Sequence, residues 1–162
     1  MVPPARSVTR DSVDEVTDAL LTASRLLVAI SARSIAHVDD TITLPQFRTL
    51  VILATQGPVK LATLAQQLDV QPSTATRMVE RLLAAELITR QPNPQTRREL
   101  IIDLTSHGRE VVDEVTASRR REIARVVANM PRAQRQGLVA ALNAFTAAGG
   151  EFAAEGSQAY PL

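Results

Sequence analysis

Wound as a helix, residues 72–85 separate into two faces of different chemistry. Ala75, Met78, Val79 and Leu82 form an apolar stripe, and Ser73, Thr74, Thr76, Arg77, Glu80 and Arg81 stand opposite. The hydroxyls fall near the start, where free amides and the helix dipole favour an anion. Arg77 and Arg81 follow four residues apart, each able to hold a phosphate or a guanine edge through two donors. A helix that enters a DNA major groove by its N-terminal end needs this arrangement. An ordinary solvated face has the same composition, so the helix alone leaves both readings open.

A second basic feature lies a few residues further on. Arg97 and Arg98 sit at a turn stiffened by Pro92 and Pro94. A slim arginine-bearing loop can enter a minor groove, most readily where A·T pairs narrow it. From Pro72 to Arg98 five arginines (77, 81, 90, 97 and 98) stand against Glu80 and Glu86, whereas the whole chain carries a net charge of only +1. Of its 18 basic residues only Lys60 is a lysine, a bias that suits bidentate contacts and that a skewed genome composition would also produce.

Other chemistry finds little to build on. The chain has no Cys, which excludes disulfides, thiol nucleophiles and thiolate metal sites. His37 and His107 are far apart and belong to no clustered ligand motif, and Asp39-Asp40 has no companion ligands. No phosphate-binding glycine loop or G-x-S-x-G is present. The expectation is no enzyme, no cofactor and no metal.

These residues must be positioned by helices. Hydrophobic residues make up 45% of the 162, yet only Phe47, Phe145, Phe152 and Tyr160 are aromatic, so the apolar mass is Ala, Leu, Val and Ile. That argues against a compact all-β fold. Residues 1–11 read as a mobile arm. Ser12-Val-Asp-Glu15 is a capping box, and Val13, Val16, Leu20, Leu27, Ile30, Ile35 and Val38 then recur at helical spacing to Asp39. Thr43-Leu-Pro-Gln46 caps a second helix that Gly57-Pro58 stops. A third helix is predicted over 60–68, a turn over 69–71, and the two-faced helix over 72–85, which is the helix-turn-helix order. Residues 87–91 and 99–104 read as a hairpin, Leu100, Ile102 and Leu104 sharing one face. Thr105 caps a long helix over 106–129, and Pro131 opens a last one over 132–147 with Leu138, Leu142 and Phe145 inward. A polar tail follows from 149 to 162. The terminal helices have apolar faces wider than one such domain covers, which predicts a dimer paired through them.

In order and spacing the segments Thr43–Phe47, Leu61–Leu68, Val70–Arg77 through Leu82, Asn93–Arg98 and Leu104–Gly108 resemble the MarR family of winged-helix regulators. The resemblance implies a mainly α winged helix-turn-helix with a small β-hairpin wing. It further implies an obligate-type dimer: 12–42 and 105–148 supply the dimerisation helices and 43–104 the DNA-binding region. It implies a repressor that binds a pseudo-palindromic operator in double-stranded DNA. Release would come from a small, often aromatic and anionic, ligand bound between the dimer helices and the winged helix. The DNA-contact residues are then Gln71, Ser73, Thr74, Thr76, Arg77, Arg81, Arg97 and Arg98, and the effector-pocket candidates are Arg33, His37, Phe47 and Arg48. Departures are Gln71 where the family has a hydroxyl cap, Glu86 where it often has Gly, and Asn93 and Thr96 where wing acids are common.

The competing reading is a winged-helix protein–protein interaction module without specific DNA binding, which the near-neutral charge favours. Arg119-Arg-Arg121 and Arg125 read as a solvated face. The first ten residues lack the apolar core of a signal peptide, and the longest charge-free stretch, Gln136–Gly150, is too short and polar to span a bilayer. A cytoplasmic location without a membrane is expected.

Overall fold

A computed structural model describes residues 13–96 and 99–150. The expected N-terminal arm, Ser12, Arg97, Arg98 and residues 151–162 lie outside the described residues. The elements run α1 (Val13–Val38), α2 (Leu44–Gln56), β1 (Val59–Lys60), α3 (Leu61–Gln67), α4 (Pro72–Ala84), β2 (Ile88–Pro92), β3 (Leu100–Leu104), α5 (Ser106–Ala128), α6 (Arg132–Arg135) and α7 (Leu138–Ala148).

Local chemistry sets most of these bounds. The Asp39 carboxylate accepts from the Thr41 amide at 2.8 Å, an Asx turn that takes the chain off α1. Thr43 and Gln46 close a reciprocal capping box at the start of α2, the Thr43 amide donating to Gln46 Oε1 at 2.7 Å. Gly57, at φ 75°, ends that helix. α3 and α4 each end in a paired-bond cap with a residue in the left-handed region. Val70 and Asp69 donate to Ala65 and Gln66, and Leu87 and Glu86 donate to Leu82 and Leu83. The left-handed residues are Asp69 (φ 52°) and Glu86 (φ 58°), positions where glycine is the unstrained choice.

The sheet is antiparallel in the order β1-β3-β2, with Val59 opposite Ile102 and Arg90 opposite Ile102 from the other side. The hairpin was expected, but the third strand was not. The core lies between this sheet and α2, α3, α4 and α5. Phe47, Leu50, Leu53, Leu64, Val79, Leu82, Ile102 and Val115 are fully enclosed there. Each such burial stabilises by about 1.5–3 kcal/mol.

Three expectations need correction. The last helix is two pieces, because Gly137 takes a left-handed φ of 80° between α6 and α7. Leu138, Leu142 and Phe145 do not turn inward within one chain: α7 buries no residue, and Phe145 is 54% exposed. Leu100 parts company with Ile102 and Leu104, being exposed beyond the end of β1. α1 is moreover long and apolar enough, by length and composition alone, to cross a membrane. It buries only Ile30, Ser31, Ser34 and Ile35, and leaves Val16, Leu21, Leu26, Leu27 and Val28 uncovered.

Candidate nucleic-acid interface

The two-faced helix is α4. Ala75, Val79 and Leu82 seal its inner face. Met78 completes the anchor, its sulfur accepting the Thr49 hydroxyl of α2 at 2.9 Å. The opposite face is open: Gln71, Ser73, Thr74, Arg77 and Arg81 are all exposed. Thr76 is half-buried and its hydroxyl donates to the Pro72 carbonyl at 2.9 Å, so this group is already engaged by its own helix. Among the described residues neither Arg77 nor Arg81 is held in an ion pair. Gln71 makes no side-chain cap, as its identity suggested, and leaves the first turn of α4 without one.

Two fastenings hold this face against the rest of the domain. Glu80 on α4 pairs with Arg90 on β2 at 3.6 Å. At the far end Thr105 stitches α5 to the corner after α4. Its hydroxyl donates to the Glu86 carbonyl at 2.8 Å, its amide to the Leu87 carbonyl at 3.1 Å, and its oxygen accepts the Gly108 amide at 2.9 Å. Gly108 is required at this crossing, because a Cβ there would collide with the Leu87 carbonyl oxygen. The orientation of α4 is thereby tied to α5, which packs along α1.

The wing is braced around Glu99, a residue that the sequence did not single out. Glu99 Oε2 accepts from Lys60 Nζ at 2.8 Å, Thr96 Oγ1 at 2.8 Å and Asn93 Nδ2 at 3.3 Å. Lys60, and to a lesser degree the Thr96 hydroxyl, hold the Glu99 carboxyl below the ordinary carboxylate range. Asn93 and Thr96, which stand where wing acids are common in the resembled family, here serve an acid further along the turn. Lone charges separated this far in sequence give no signal until β1 and β3 are paired.

Among the described residues, none of the four effector-pocket candidates lines the concavity between α3, the start of α4 and the wing base, or the one at the start of α5. Arg33 pairs with Glu122 at 2.9 Å and fastens α1 to α5, while Phe47 is 2% exposed inside the core. His37 and Arg48 lie on the surface. The concavity between α3, the start of α4 and the wing base has a volume of about 730 Å³. No group of three or more potential metal ligands occurs among the described residues. Arg120, Arg121 and Arg125 are exposed and Arg119 is half-buried, while His107 is exposed with Nδ1 3.9 Å from Glu110.

Comparison with known proteins bears on this geometry. The MarR family model matches residues 42–100, from the residue before the α2 cap to the start of β3. The transcriptional repressor NicR of Pseudomonas putida is 39% identical over 75 residues, covering 46% of this chain and 48% of NicR. The chain thus spans about half the length of the curated relatives it matches. The crystal structure of RV1404 from Mycobacterium tuberculosis is 64% identical, with a TM-score of 0.83 over 90% of this chain and 99% of that one. BpsR of Bordetella bronchiseptica, whose DNA binding is regulated by 6-hydroxynicotinic acid, is 26% identical, with a TM-score of 0.63 over 82% of this chain and 98% of that one. With the winged helix-turn-helix and this similarity together, the chain belongs to the MarR family, DNA-binding transcriptional regulators rather than enzymes.

Proposed function

We propose that this chain is a cytoplasmic transcriptional repressor that binds an inverted repeat in double-stranded DNA as a homodimer and is released by a small aromatic anion. Residues 43–104 read the DNA. Gln71, Ser73, Thr74, Thr76, Arg77 and Arg81 enter the major groove, and Arg97 and Arg98 contact the flanking backbone and minor groove. Residues 12–42 and 105–148 join the two copies. The observation that carries the reading is the open face of α4, which presents Arg77 and Arg81, held in no ion pair among the described residues, behind a first turn without a side-chain cap.

Support for the dimer comes from the apolar surface of the terminal helices. Val13 is 82% exposed and Val139 71%, and a second copy would cover both helices. The effector reading draws on BpsR as a relative, with Arg33 and His37 on α1 and Arg48 on α2 as the polar and cationic groups offered. A ligand there would reach α4 through α5 and the Thr105–Leu87 corner.

Titration of duplex DNA at increasing salt tests the reading. A dimer making roughly 6–10 phosphate contacts should lose about 10³–10⁵ in affinity between 50 and 200 mM salt. A flat response would favour a protein–protein interaction module instead.

A further inference from the structure

Resting on the DNA-binding reading, we propose that Glu99 is the positioning residue of the wing, its carboxylate clamping the hairpin turn to the helix-turn-helix through Lys60. A single oxygen, Oε2, collects donors from both sides. Thr96 at 2.8 Å and Asn93 at 3.3 Å belong to the turn, and Lys60 at 2.8 Å is the residue that ends β1 and precedes α3. The main chain closes the same loop, the Asn93 amide donating to the Glu99 carbonyl and the Glu99 amide to the Thr96 carbonyl, each at 2.8 Å. β1 contributes only two residues to the sheet, so the Lys60–Glu99 contact extends its hold toward the wing tip. Among the described residues Lys60 is the charged group that faces this carboxylate from another element, and Asn93 and Thr96 are neutral.

The sign of one substitution separates positioning from charge. An acid on a DNA-facing loop repels phosphate, so by charge alone Glu99→Gln should tighten binding. A clamp predicts the opposite: Glu99→Gln weakens binding to a random-sequence duplex about two- to fivefold, the scale of one exposed charge-assisted contact. The wing contacts are sequence-tolerant, so such a duplex suffices as the probe. Lys60→Met should weaken it likewise, yet add little in the Glu99→Gln background, and Lys60→Arg should restore most of the affinity. As pH falls through the lowered titration range of Glu99, the affinities of wild type and Glu99→Gln should converge, because protonation makes the two side chains equivalent. Unchanged or tighter binding by Glu99→Gln, or additive losses in the double variant, would overturn the clamp. Should the wild type fail to bind duplex, the DNA reading fails first. Backbone amide relaxation of residues 93, 95 and 96 in the free protein then decides the clamp alone, faster motion in Glu99→Gln supporting it and unchanged motion refuting it.

Discussion

Arg77 and Glu99 carry opposite charges and opposite kinds of role. Arg77 is exposed one turn into α4, with its guanidinium unpaired among the described residues. Its change to Ala should cost about 1–3 kcal/mol in specific binding and relax preference at one base pair per half-site, with helicity unchanged. Affinity measured against duplexes varied at single positions checks this, and an even loss across all of them would move Arg77 to the phosphates. Glu99 titrates below the ordinary carboxylate range because Lys60 stabilises its charged form. A depressed folded value means that the clamp is present above the unfolded value and lost as pH falls through the folded one. The carboxyl resonance of Glu99 should therefore titrate low in the wild type and rise toward the ordinary value in Lys60→Met. The exposure of Ser73, Thr74, Arg77 and Arg81 was legible from helical periodicity alone. The engagement of Thr76 with the Pro72 carbonyl was not, since a hydroxyl can donate to its own helix without altering the pattern.

Among the elements, caps and breakers were the legible part. Thr43 with Gln46, Gly57-Pro58, Pro72 and Thr105 mark helix ends within a residue or two of where they fall. β1 was missed because two residues after a turn make no period, and the single last helix was expected because an apolar run does not reveal that Gly137 will turn left-handed. Two glycine exchanges at the corner after α4 should act in opposite directions. Glu86→Gly relieves a left-handed residue in the cap and should stabilise by about 1 kcal/mol. Gly108→Ala drives a methyl into the Leu87 carbonyl and should destabilise by about 1–3 kcal/mol or more, loosening α5 from α4. Thermal unfolding of the two variants, followed by circular dichroism, tests the geometry, and shifts in the same direction would contradict it.

At the scale of the whole molecule, a single chain leaves its terminal helices unfinished. α7 buries nothing, and most of the apolar face of α1 stays in water. The sequence indicated this by supplying more apolar helix than one winged helix could cover, but where the partner sits depends on contacts outside one chain. Sedimentation should show a dimer at micromolar concentration. Leu142→Glu should dissociate it, since a charge buried in the interface costs several kcal/mol. A stable wild-type monomer would remove the proposed architecture. If α4 reads each half-site and the two copies are related by a two-fold axis, the preferred DNA must share that symmetry. Selection of bound sequences from a randomised duplex library, carried out with the wild-type protein, tests this most directly. The account predicts an enriched inverted repeat with half-site centres about one helical turn, or ten base pairs, apart. Enrichment of a single asymmetric site, or of no sequence at all, would contradict it.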